Sequence, residues 1–150
     1  MRSIPFWPRL LGFAGLLPQL MCALLVWSDT PTWAKPAGLT AAFYAALILS
    51  FLGGMWWGIA AGAPAAERRR ALGWLWISAV VPNLVAFACL LLWTLNLISL
   101  EPVLVMLGAA ILMSVAVDAK LTALAPRWWM ALRVPLSLGL GALTIACAVL

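Results

Sequence analysis

Histidine is absent from the 150 residues, and Asp and Glu together number only 4. The commonest general base and the commonest metal ligand are therefore both missing. The few carboxylates, Asp29, Glu67, Glu101 and Asp118, fall in separate breaks of the chain, so no acid/base pair is set up for catalysis. Cysteine is nearly as sparse: Cys22, Cys89 and Cys147 stand alone, without the CxxC or Cys/His spacing of a metal or redox centre. In apolar surroundings a lone thiol reads first as a small packing residue. No enzyme, no cofactor and no metal site is expected from this inventory.

Charge as a whole is scarce, at 9% of residues, while 67% are hydrophobic and the mean hydropathy is +1.12. A soluble globular chain is about half apolar and about a quarter charged. The environment implied is lipid. Lys and Arg number 9 against 4 acidic residues, yet nearly all lie at the ends of apolar runs, which points to membrane orientation and away from nucleic acid.

What the sequence has in abundance is long apolar runs, at about 10–27, 39–61, 71–93, 100–117 and 128–150. Each matches the ~17–25 residues that a helix needs to cross a bilayer. The expected architecture is all-α, one domain over residues 1–150, a bundle of five membrane-spanning helices. The breaks carry turn and charge signals: Ser28-Asp29-Thr30-Pro31; Pro64 with Glu67 and Arg68 to Arg70; Ser99 to Pro102; and Asp118 to Arg127 around Pro126. The third is the weakest, because 95–100 is itself apolar, and a four-span arrangement stays open there. The stretch after Arg2 and Arg9 is too long for a secretory signal and carries Pro18 and Gln19 near its middle, so it reads as a retained span.

Basic residues divide unevenly between alternate ends of these spans. Arg2, Arg9, Arg68, Arg69, Arg70, Lys120, Arg127 and Arg133 gather on one side and only Lys35 on the other. The positive-inside rule then puts the N-terminus in the cytoplasm and the C-terminus outside. Trp7, Trp27, Trp33, Trp74, Trp93, Trp128 and Trp129 fall near span ends, where indole rings favour the headgroup level.

Three groups of residues stand out as candidate sites. Ala46, Ser50, Gly54, Gly58 and Gly62 recur every four residues in the second span, a stripe of small side chains that reads as a helix-packing seam. The seam reads as plain packing between helices or, second, as the face of a homodimer, for which Ser137 with Gly141 offers a weaker second candidate. Gln19 and Asn83 follow Pro18 and Pro82 near the middles of two spans that run in the same direction. With Ser50 and Ser78 they make a candidate midplane polar cluster. Each proline frees a carbonyl, at Ala14 and Ser78, for another partner. The cluster reads either as interhelical hydrogen bonding or as the lining of a pocket for a hydrophobic small ligand. Asp118 and Arg133 close the fourth span and open the fifth at the same depth, a candidate ion pair that reads as a clamp or as part of a proton or anion path.

The segments PRLLGFAGLLP (8–18), YAALILSFLGGMWWG (44–58), ISAVVPN (77–83) and Asp118 followed by PRWWMALR (126–133) resemble the successive signatures of one family. It is an uncharacterised five-span family, described in bacteria as a domain of unknown function, whose eukaryotic members include transmembrane protein 69 of mitochondria. The resemblance implies a small integral protein of a bacterial inner membrane, with no assigned activity or site residues. Trp129 departs from the tyrosine expected there. Span number, length and tryptophan content are also similar to the tryptophan-rich sensory and translocator proteins, which bind porphyrins and sterols, but that similarity is architectural, without their proline and tryptophan pattern. The leading expectation is a structural or accessory, assembly-type membrane protein; the alternative is a binder or carrier of a hydrophobic small molecule at the midplane.

Overall fold

The computed structural model describes residues 4–28, 30, 32–63 and 72–150. Arg2, Asp29, Pro31, Pro64, Glu67, Arg68, Arg69, Arg70 and Ala71 lie outside the described residues. Within them the chain is all-helical: α1 (Phe6–Ala14), α2 (Leu17–Trp27), α3 (Ala34–Gly62), α4 (Gly73–Thr94), α5 (Leu100–Lys120) and α6 (Trp129–Val149), with a 3-10 turn at Leu121–Ala123. Taken together, α1 and α2 form one span, giving five helices long and apolar enough to cross a membrane. In hydrocarbon a helix satisfies its backbone internally, and the apolar runs fold accordingly. The 29 residues of α3 extend about 43 Å, well beyond a ~30 Å hydrocarbon core, so this helix tilts or projects past it.

The first span is broken by Pro18. The chain tightens before it, with Gly15 N–H donating to Leu11 and Gly12 carbonyls and Leu16 N–H to that of Phe13. The Gly15 carbonyl, one residue beyond Ala14, accepts from the Tyr44 hydroxyl of α3 at 2.6 Å. In contrast, Pro82 and Pro135 sit inside α4 and α6 without ending them. The apolar stretch at 95–100 is a true turn: Asn96 takes a left-handed conformation (φ 57°), and Leu97 N–H closes onto the Leu92 carbonyl.

The core is built around α3, whose Ala41, Ala42, Ala45, Leu49, Leu52, Trp56 and Ala60 are buried. The most extensive interface is α5 with α6, followed by α3 with α4. Glycine permits both. A β-carbon on Gly108 would lie 2.8 Å from the Gly141 carbonyl oxygen and one on Gly141 2.9 Å from that of Gly108, while one on Gly53 would collide with the Ala79 carbonyl.

As a seam within the chain, the expected packing stripe is corrected here. Ser50, Gly54, Gly58 and Gly62 are exposed, a β-carbon on any of the three glycines meets nothing within 4 Å, and only Ala46 is buried. The reason is rotational: at 3.6 residues per turn a strict four-residue repeat drifts about 40° per step. The stripe starts on the buried face at Ala46 and winds off it. The seam that packs runs through Ala42, Ala45, Leu49, Gly53, Trp56 and Ala60, so Gly53 rather than Gly54 meets the next helix. Trp56 is likewise central, and Trp57, half exposed, meets Trp76 edge to face at 4.7 Å.

Candidate functional site

Where α3 and α5 finish and α6 begins, Asp118 is fully buried and receives three donors. Arg133 Nε donates to its Oδ2 at 2.8 Å, while the indole N–H groups of Trp56 and Trp129 donate to Oδ1 at 2.9 and 3.2 Å. An arginine commonly grips a carboxylate with two parallel N–H groups. Here both tryptophans occupy the oxygen that the second prong would use. Arg133 Nη2 is consequently left buried with no hydrogen-bond partner among the described residues.

Four residues further along α6, on the same face, Ser137 is 2% exposed and its Oγ also lacks a partner among the described residues. Arg133 and Ser137 both line a cavity of about 340 Å³ bounded by the first span, α3, α5 and α6. That is the lower end of the size range of small-molecule sites, roughly 300–1,000 Å³. The rest of the lining is almost wholly apolar, with Trp128 and Trp129 at one end and Ile111 and Leu140 further along the bundle. Leu11 and Phe51 line it as well and are 64% and 66% exposed on the outer surface, so the cavity opens on the flank of the bundle, between the first span and α3.

The expected midplane cluster is not brought together. Ser50 and Asn83 are exposed, and Ser78 is half-buried on a second cavity of about 570 Å³ beside α4 and α5. Gln19 is fully buried elsewhere and donates through Nε2 to Thr144 Oγ1 at 2.9 Å. Thr144 gives its own proton to the Leu140 carbonyl, so it can only accept from Gln19. The Gln19 Oε1 left over has no partner among the described residues and lines neither cavity. Two same-direction spans can carry polar residues at equal depth and still turn them to different neighbours; spacing sets depth, not rotation.

Cys22, Cys89 and Cys147 are buried in the core as free thiols. Among the described residues no three His, Cys, Asp or Glu side chains converge as metal ligands.

A family model described as a protein of unknown function, DUF3429, matches residues 4–149. The chain belongs to that family. Its description assigns no activity and names no mitochondrial member. No curated protein and no solved structure matches the chain. For this DUF3429 member the chemistry of the cavity is accordingly the main guide to function.

Proposed function

We propose that this protein binds a lipophilic small molecule that enters sideways from the bilayer into the Arg133–Ser137 cavity, as a multi-pass protein of a bacterial inner membrane. One observation carries the reading: Arg133 and Ser137 both line an apolar cavity that opens on the flank of the bundle, and each carries a buried polar atom, Nη2 and Oγ, without a hydrogen-bond partner among the described residues. Burying unpaired polar groups is costly, and few survive in folded proteins without a partner. A ligand with an apolar body and a polar end would satisfy both. The basic residues at one end of the spans, Arg9, Lys120 and Arg127 among them, support a cytoplasmic N-terminus. Labelling of single cysteines at positions 35 and 127 is expected to find them on opposite faces, 127 inside.

The binding reading is tested by melting the purified protein with a long-chain methyl ester. At a hundred times Kd, a ligand stabilises by about 2.7 kcal/mol, and the melting temperature should rise with concentration. An unchanged melt would count against it. The second reading, an accessory subunit of a larger membrane assembly, draws on the exposed small-residue face of Ser50, Gly54, Gly58 and Gly62, over which another helix could pack closely. It predicts stabilisation by a partner protein and none by the ester.

A further inference from the structure

We infer that the ligand's polar end is an uncharged hydrogen-bond acceptor, a carbonyl oxygen held by Arg133 Nη2 and Ser137 Oγ; this rests on the binding reading above. The atoms set the polarity. Arg133 Nη2 can only donate, and Ser137 Oγ, whose proton is not committed to any described residue, can donate as well. A carbonyl oxygen has two lone pairs and can receive both. A cationic head would meet a guanidinium and is excluded by sign. A pure hydrocarbon would fill the volume and leave both polar groups unpaired.

The choice between a neutral and an anionic head turns on Asp118. Its carboxylate lies 2.8 Å from Arg133 Nε and is fully buried, so the guanidinium already has its counter-charge. An anion at Nη2 would share one cation with a second carboxylate a few ångströms away, in an otherwise apolar cavity where like charges repel strongly. A neutral acceptor takes the same N–H without adding charge. The tryptophans that hold Asp118 Oδ1 thus have a consequence for the ligand: they keep the carboxylate in place as counter-ion while diverting it from the second prong of the arginine.

The test is a series with one tail and three heads, methyl laurate, ionised laurate and dodecane, titrated into the full chain in bilayer discs and read by native mass spectrometry. Methyl laurate should bind at least about tenfold tighter than either of the others, the worth of two hydrogen bonds. Ser137→Ala should weaken methyl laurate about fivefold and leave dodecane unchanged. Arg133→Lys keeps the charge opposite Asp118 but lacks Nη2 and should do the same; should it fail to fold, Ser137→Ala still decides. Tighter binding of laurate, equal binding of dodecane, or an unaltered preference in Ser137→Ala would overturn the inference while the binding reading stood. Failure of every probe to bind would overturn both. Acyl esters of phospholipid carry the same carbonyl, so the series is run in ether-linked and in ester-linked lipid. Probe binding suppressed by the ester bilayer identifies the lipid itself as the source, and equal binding in both identifies a free lipophile; either supports the inference.

Discussion

Replacing Asp118 by alanine removes the acceptor for three donors at once, and the structure allows the loss to be apportioned. Arg133 would remain about nine-tenths buried without a counter-charge, and breaking a buried pair from one side costs about 3–5 kcal/mol. Trp56 is 1% exposed, so its orphaned indole N–H adds about 1–3 kcal/mol. Trp129 is only half-buried and can find another partner, so it adds little. The total, roughly 4 kcal/mol or more, is a large share of a typical stability of about 5–15 kcal/mol. At about 2–4 °C per kcal/mol for a chain of this size, thermal melts in a fixed detergent or disc should fall by at least about 8 °C. Arg133→Met placed in the Asp118→Ala background removes the stranded cation. It should cost little more or restore part of the loss. Fully additive losses in the double variant would refute the coupling, and with it the idea that Asp118 is the counter-ion of Arg133.

Three further outcomes follow from the packing. Gly53→Ala places a β-carbon against the Ala79 carbonyl and should cost about 1–3 kcal/mol, whereas Gly54→Ala meets nothing and should be neutral or gain up to about 1 kcal/mol in helix propensity; equal melting temperatures would contradict the assignment of the seam. Gly108→Ala should lower the melting temperature by a similar margin to Gly53→Ala, because the Gly141 backbone and Ile145 leave no room, and an unchanged melt would mean that α5 and α6 do not approach so closely. Tyr44→Phe should cost about 1 kcal/mol by leaving the Gly15 carbonyl at the break of the first span without its donor, and a loss near zero would show that carbonyl to be satisfied in another way.

The five spans were legible because lipid imposes length and apolarity on any crossing helix. The turn between α4 and α5 was faint in composition, yet Asn96 carried the signal: asparagine is the residue besides glycine that most readily ends a helix in the left-handed region. Which face of α3 packs was not legible from a four-residue repeat, since its slow drift carries Gly54, Gly58 and Gly62 away from the core while Ala46 stays inside. The pairing of Asp118 with Arg133 could be read from their matching depth, but the role of Trp56 could not, because its sequence separation of 62 residues leaves no local trace. In the sequence alone, Ser137 reads only as a small residue beside Gly141 on a packing face. Its four-residue spacing from Arg133 was the available sign that the two share a side of α6, and the cavity they both line becomes visible only once the first span and α3 are in place.

Mass spectrometry of the protein extracted together with its own membrane in polymer discs tests the binding site most directly. Gly12 lines the cavity, and a β-carbon there meets only the flexible ends of Leu136 and Leu132, at 2.8 and 3.5 Å, so Gly12→Leu is expected to fill the space with the fold intact. The parent chain is expected to retain a carbonyl-bearing lipophile that Gly12→Leu has lost, with the two proteins melting within a few degrees of each other. Equal retention by both, or no retained lipophile in either, would contradict a binding site between Arg133 and Ser137.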